Sequence, residues 1–275
     1  MILVRYLHIG FYTVHQNINV ILPTVICYEL PLNERIRMLL RLEDLFDKID
    51  FFSSRDTSFE HNTVLVALFE ILDVTSRSDL KSDLLQELDK QRTMLEGLRS
   101  NPEVSEKALN HLLQDIRAAF RGLLDIPGRI GGHLRDDEWL MSVKQRMNIP
   151  GAACEFDLPA YHYWLNLTPE ERREDLNGWI TPFAPIRSGI NIVLNILRNS
   201  GRNCGYTAVQ GVFQQAGSEH QAHLLRLHIS CEFPCIPEIS ANKYALNIRF
   251  VRWRSENKTE IYEEDIPFEL TFCSL

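Results

Sequence analysis

An α+β fold is what this sequence predicts, with an N-terminal helical domain carrying a long helical hairpin and then a C-terminal antiparallel β-rich domain. Three observations lead there. Apolar residues recur at helical spacing in successive segments between Leu32 and Leu123. The texture changes at Pro150, beyond which Phe, Tyr and Trp crowd together. In the last quarter strict alternation replaces the helical period, as in Leu225-Arg226-Leu227-His228-Ile229 and Leu246-Asn247-Ile248-Arg249-Phe250.

Taken in order, residues 1–24 hold one charged side chain, Arg5, in an apolar-leaning mixture broken by His8, His15, Gln16, Asn17 and Asn19. They lack the run of ~20 apolar residues that a spanning helix needs, and no continuous apolar core precedes a small-x-small cleavage site. Residues 1–25 are therefore read as a flexible extension. Leu32, Ile36, Leu39, Leu40, Leu45, Phe46 and Ile49 predict a helix starting at Asn33, just after Pro31, and reaching Phe52. Residues 59–73 form a second helix on Val64, Leu65, Leu68, Phe69 and Leu72. A third, about 78–99, places Leu80, Leu84, Leu88, Leu95 and Leu98 among charged residues; Ser100-Asn101-Pro102 breaks it, and 104–123 returns as its antiparallel partner.

Pro127-Gly128 interrupts the pattern before one further helix, about 133–147, ending at Ile149-Pro150-Gly151. Cys154 to Leu167, split by Pro159, reads as two short strands or edge pieces. Thr168-Pro169-Glu170-Glu171 is a strong helix start, with Thr as cap, Pro at N1 and Glu at N3. Ile186 to Leu197 gives another helix, stopped by Ser200-Gly201, and 266–273 is a closing apolar strand. This gives a helical domain over 26–149, its first few residues pairing with the β part, and a β-rich domain over 150–275 with one or two helices.

A formal charge of −8 and a pI near 5.6 exclude a protein that coats nucleic acid over its whole surface, since phosphate binding needs a cationic face. The six cysteines, with no C-x-x-C, suit free thiols of a reducing cytosol. Glu219, His220, His223 and His228 lack fixed metal-ligand spacing and read as solvated groups near a hairpin, so no metal is expected. Cys231 and Cys235 read as small buried or half-buried side chains. Gly128-Arg129-Ile130-Gly131-Gly132 follows a helix and lacks the phosphate-cradling pattern, so it reads as a helix–helix joint. No nucleophile elbow occurs, and no catalysis is expected.

Positive charge is unevenly distributed. Between Leu224 and Arg254, five basic residues (Arg226, Lys243, Arg249, Arg252, Arg254) meet only Glu232 and Glu238, whereas 255–275 has six acidic residues against Lys258. Arg37 and Arg41, four apart, share a helix face, with Arg35 offset. Such faces suit an acidic peptide, because guanidinium pairs well with carboxylate. The basic strands 224–254 also raise a second possibility, a nucleic-acid binder, although only Tyr244 and Trp253 are available for stacking.

Collinear motifs then carry a resemblance. Glu29-Leu30-Pro31-Leu32-Asn33-Glu34 followed by Arg37 and Arg41 resembles the opening of the ZapD family of bacterial cell-division proteins. So do Asp79-Leu80-Lys81, Arg129-Ile130-Gly131, Leu134-Arg135, Gln145-Arg146, Ile149-Pro150-Gly151, Phe156-Asp157-Leu158-Pro159, Leu224-Leu225-Arg226-Leu227 and Ile248-Arg249-Phe250. The order is kept from about Ile26 to the C-terminus. The resemblance implies a cytoplasmic, non-enzymatic homodimer at the midcell division ring. It would bind the C-terminal tail of FtsZ and bundle its filaments, with no cofactor, no nucleic acid and no membrane insertion. It further implies a basic pocket, for which Arg37, Arg41, Arg135, His162, Arg226, Lys243 and Arg249 are the candidates. Arg226 and Arg249, on the polar faces of alternating strands, are expected to be dispensable to the core. Two departures stand out: Glu138 lies where a relative carries an arginine, and residues 1–25 have no counterpart.

Deleting residues 1–24 is expected to leave the melting temperature and FtsZ binding unchanged, because nothing in their pattern predicts packing on the core. Thermal unfolding of the truncated chain checks this; a clear drop contradicts it.

Overall fold

The computed structural model describes residues 24–76, 79–151, 153–216, 222–242, 244–253 and 259–275. The expected N-terminal extension, Glu219, His220, Lys243, Arg254 and Lys258 lie outside the described residues. The chain divides into two compact units, one of the residues up to Arg37 with Asn195–Leu275, the other Met38–Leu194. Helices on the N-terminal side and antiparallel sheets on the C-terminal side make the α+β class plain. The helical unit runs on to Leu194, well beyond the change of texture at Pro150.

In the β-rich unit, β1 (Val25–Pro31), β4 (Leu224–Ser230), β8 (Ile266–Cys273) and β2 (Asn203–Ala208) form one antiparallel sheet in the order β1-β4-β8-β2. The second sheet has the order β3-β6-β5, from β3 (Val212–Ala216), β6 (Ala245–Trp253) and β5 (Ile236–Ala241), with β7 (Thr259–Ile261) pairing on β6. The alternation read in the sequence fixes which side is buried. Leu225, Leu227 and Ile229 meet Leu246, Ile248 and Phe250 and the β8 residues Ile266, Phe268 and Leu270 in one core. Phe268 sits at its centre, with the rings of Tyr206, Phe213 and Phe250 5.2–6.0 Å away. Strand β1 joins this sheet from the far end of the chain, Tyr28 opposite Leu227 and Glu29 opposite Arg226.

The helical unit is built on α1 (Glu34–Ser53), α2 (Ser58–Thr75), α3 (Leu80–Glu96), α4 (Glu106–Asp125), α5 (Gly132–Arg135), α6 (Glu138–Met147), α7 (Pro159–Leu165), α8 (Pro169–Ile180) and α9 (Ala184–Ser200). Helices α3 and α4 are the expected hairpin, packed through Leu84, Leu88, Leu95, Leu109, Leu113 and Ile116. Lys81 closes it at one end on the Ile126 carbonyl at 2.7 Å, and Arg117 pairs with Glu96 at 3.0 Å towards the other. Both expected and unexpected caps appear. Thr168 and Glu171 form the capping box read in the sequence, and Thr57 with Glu60 forms another at the start of α2.

Two segments differ from expectation. The single helix of 133–147 is two, because Asp137 accepts from Leu140 N at 2.9 Å and starts α6 anew. Cys154–Leu167 contains no strand: turns lead into α7, with Pro159 in its first turn. The aromatic residues that suggested strands are instead spaced i, i+3, so that Tyr161 and Trp164 face inward together. They pack with Trp139 and Trp179 in a four-ring cluster whose centroids lie 5.7–6.4 Å apart. Gly131 behaves as the expected helix joint. Its φ of +71° and the Leu72 methyl, 2.2 Å from where a Cβ would sit, strongly favour glycine.

Arg172 ties the start of α2 to the α7–α8 turn. It is 4% exposed and pairs with no carboxylate among the described residues; its guanidinium donates to His61 Nδ1 at 2.9 Å, to the Leu165 and Leu167 carbonyls, and to Asp56 O at 2.6 Å. A guanidinium only donates, so His61 Nδ1 must accept and its Nε2–H donates to Arg55 O at 2.8 Å. Burial, with Arg172 and Arg173 close by, holds the His61 pKa below its ordinary value, although the bond to Arg55 opposes this. The unfolded chain therefore binds a proton on this ring at a pH where the native one does not. Stability attributable to His61 is complete above about pH 6.5 and falls as the pH drops below it, until the native ring itself protonates. Arg172→Met, which strands these buried acceptors, is expected to cost about 2–4 kcal/mol and to flatten the acid limb of that profile. Urea unfolding of both proteins between neutral and mildly acidic pH tests both expectations.

Candidate functional site

Helix α1 begins where Asn33 Oδ1 accepts from Ile36 N at 2.8 Å, and it buries Ile36, Leu39, Leu42, Leu45, Phe46 and Ile49. That period leaves Arg37 and Arg41 exposed one turn apart, with Glu34, Asp44 and Lys48 also on the exposed side. Arg37 lies 3.6 Å from Glu34, an exposed pair of the kind worth ~0–1 kcal/mol. Lys48 pairs with Asp44 at 2.7 Å.

His162 is exposed on α7, where its Nε2 is 3.7 Å from Glu155. The inward turn of Tyr161 and Trp164 leaves Tyr163 70% exposed beside it, and Phe156, in the turn before α7, is 78% exposed. One short segment thus offers an imidazole and two aromatic rings to solvent. Glu138, expected to depart from the family pattern, is exposed in the first turn of α6, where a carboxylate suits the positive end of the helix dipole.

The remaining candidates are placed differently. Arg135 is half-buried and donates to the Leu72 carbonyl at 2.7 Å, its Nε buried with no partner, so it fastens the end of α2. Lys144 adds to that joint on Asp73 at 2.8 Å. Arg226 lies on the outer face of the first sheet, and Arg249 on the outer face of the second, on opposite sides of their common core. Arg249 is exposed and pairs with Glu238 across strands at 2.9 Å. Lys243 lies outside the described residues.

Contrary to expectation, Arg226 is bound into the structure. Its Nε donates to Glu29 Oε1 at 2.9 Å, while Arg198 grips the same carboxylate through two bonds of 2.9 and 2.8 Å. All three side chains are three-quarters or more buried. Burial raises the Glu29 pKa, but the bonds and charge of Arg198, then Arg226, outweigh it and hold the carboxyl below its ordinary range. The sequence reading missed this triad, because Glu29 and Arg198 stand 169 residues apart and no spacing announces them.

Some other expectations change as well. His223 and His228 are half-buried rather than solvated. The Leu275 amide donates to His223 Nδ1 at 3.0 Å, and His228 Nδ1 is buried without a partner. Among the described residues no three His, Cys, Asp or Glu side chains are grouped to hold a metal. Cys235 is buried as expected, but Cys231 is exposed.

What the fold supplies is an α+β protein whose outward-facing candidates among the described residues are two arginines on a helix, one on a strand and a histidine near two exposed aromatic rings. The ZapD family, described as "Cell division protein", matches residues 40–249. A cell division protein ZapD of Nitrosomonas europaea is 91% identical over 257 residues, covering 94% of this chain and 98% of its own, so that, contrary to expectation, part of the stretch 1–25 has a counterpart there. Its namesake in Nitrosomonas eutropha is 84% identical, over 91% of this chain and all of its own length. The one in Aromatoleum aromaticum is 51% identical over 91% and 98%. The chain belongs to the ZapD family of cell division proteins.

The two strand arginines should separate on substitution. Arg226→Asp sets a second acid beside Glu29 with Arg198 alone to balance both and is expected to cost about 3–5 kcal/mol, whereas Arg249→Asp on the exposed sheet face should stay within about 1 kcal/mol. Chemical denaturation of the two variants decides it.

Proposed function

We propose that this protein binds the C-terminal tail of FtsZ and, as a cytoplasmic homodimer at the midcell ring, cross-links FtsZ filaments into bundles. The observation that carries the reading is the pair Arg37 and Arg41, two guanidinium groups presented one turn apart from a face of α1 that the core does not use. An acidic peptide with apolar anchors would meet bidentate donors there. The exposed segment from Phe156 to Tyr163 supports the same kind of ligand, offering His162 for a carboxylate and two rings for an apolar side chain. Membership of a cell division family fits this role, which requires no cofactor and no catalytic step. Two joined subunits are needed, since a single tail site per chain bridges filaments only when two sites are linked.

The nucleic-acid reading of strands 224–254 has weaker support. Arg226 is tied to Glu29, Arg249 faces the opposite way, and Arg252 lies 4.6 Å over the Tyr262 ring. Co-sedimentation with FtsZ filaments, run beside a gel shift on mixed nucleic acid, separates the two; a shift without co-sedimentation reverses the order. Arg41→Asp, and more so the double variant with Arg37→Asp, should weaken co-sedimentation by roughly 30-fold or more, the scale of losing one partner of a desolvated charge pair. Circular dichroism and dimer mass should stay unchanged. Wild-type bundling by the double variant would place the site elsewhere.

A further inference from the structure

The segment that offers His162 and Tyr163 to solvent is fastened on its inner side to two neighbouring residues of α2. Tyr161 donates to Asn62 Oδ1. Arg172, which binds the carbonyls of Leu165 and Leu167 behind α7, rests its Nε–H on His61 Nδ1 at 2.9 Å. Leu165 is the last residue of α7, so the guanidinium sits where a helix end carries partial negative charge. Trp164 adds a third hold, its indole donating to Asp175 of α8 at 2.9 Å. His162 and Tyr163 lie between these anchored residues, so their placement follows from how firmly α7 is held.

Of the groups that make these holds, His61 alone titrates near neutral pH. It is fully buried and both ring nitrogens are in use, Nδ1 accepting from Arg172 and Nε2–H donating to Arg55 O at 2.8 Å. A protonated imidazole has no acceptor. Its Nδ1–H would face the Arg172 Nε–H, and two cations would share a buried site. The groups around the ring do little to offset this. Helix α8 brings Arg172 and Arg173, both cationic. The turn before α2 brings Arg55 and Asp56, whose carboxylate pairs with Arg173. Helix α2 brings Glu60, whose carboxylate closes the capping box with Thr57, and α7 brings only the Tyr161 hydroxyl on Asn62. The least costly escape is for Arg172 to leave the ring, which takes its grip on the Leu165 and Leu167 carbonyls with it.

We infer that His61 and Arg172 are positioning residues for the ligand segment on α7, holding it in place while His61 is neutral and releasing it when His61 takes a proton. This rests on the reading of that segment as part of the tail-binding site, and adds how the site responds to acid. The response has the opposite sign to that of the surface histidine. His162, exposed beside Glu155, gains charge on acidification, which by itself strengthens its attraction for an acidic peptide. Release of α7 weakens it.

The test titrates a fluorescently labelled synthetic peptide of the FtsZ C-terminal tail with the full chain, from about pH 7.5 to about pH 5, where carboxylates stay largely ionised. Affinity should fall by about fivefold or more, the loss expected once about a fifth or fewer of the molecules keep α7 seated. The circular dichroism spectrum should not change. The Trp164 indole N–H resonance, assigned with Trp164→Phe, should shift with the same midpoint. His61→Asn, which keeps an acceptor but cannot be protonated, should abolish both changes, whereas His162→Gln should leave the fall in place. Affinity that rises or stays level on acidification overturns the inference, as does a fall that His61→Asn shares or that accompanies global unfolding. Should His61→Asn not fold, the unmutated chain decides: coincident midpoints for peptide release and the Trp164 shift uphold the inference, and separate ones overturn it. A peptide that binds at no pH refutes the tail-binding reading, and the Trp164 resonance still decides whether His61 holds α7.

Discussion

The carboxylate of Glu29, held between Arg198 and Arg226, is the interaction on which the β-rich unit depends. It joins the first strand, the end of the last helix and a central strand, brought together from three distant parts of the sequence. A lone buried carboxylate would be costly, and so would either guanidinium without it. Together they satisfy one another, and they do so with Glu29 directly opposite Arg226 in the ladder. The register of β1 is thereby specified twice, once by Tyr28 and Leu30 on the core face and once by charge on the other.

The helical unit solves a similar problem without a carboxylate. Arg172 meets no acid among the described residues; carbonyls at the end of α7 and before α2, and a neutral histidine, accept its hydrogen bonds instead. That arrangement needs the chain to turn where it does, because the acceptors lie at the end of α7, in the turn after it, just before α2 and in the first turn of α2. Next to it Tyr161 reaches Asn62, Trp164 donates to Asp175 at 2.9 Å, and four aromatic rings fill the space between α6, α7 and α8. Polar groups inside this unit thus fix which turns can form, and apolar area supplies the bulk of the stabilisation.

These internal demands sort the basic residues into two kinds. Arg135, Arg172, Arg198 and Arg226 hold backbone or carboxylate partners within their own unit. Arg37, Arg41, Arg249 and His162 stand at the surface. Residues of the second kind can be changed for recognition without unsettling the fold. Glu138 is exposed too, and at the first turn of a helix its carboxylate is locally favoured.

Taken alone, the sequence determined the α+β class, the α3–α4 hairpin, the Thr168 capping box, the alternating faces of β4 and β6, and the motifs that carry the family. All of these are written in local spacing or in short collinear words. It also placed Arg37 and Arg41 on one face, because a helix of known phase leaves no choice. Tertiary structure alone decided that the aromatic run after Pro150 is a helix, since i, i+3 pairing of Tyr161 with Trp164 has value only where Trp139 and Trp179 wait to receive it. It decided too that Arg226 is internal and Arg249 external, although both sit on polar positions of alternating strands. Alternation names the face but not what covers it. The cover over Arg226 is Arg198, which reaches Glu29 from a helix end 169 residues along the chain, a distance over which no local pattern carries information.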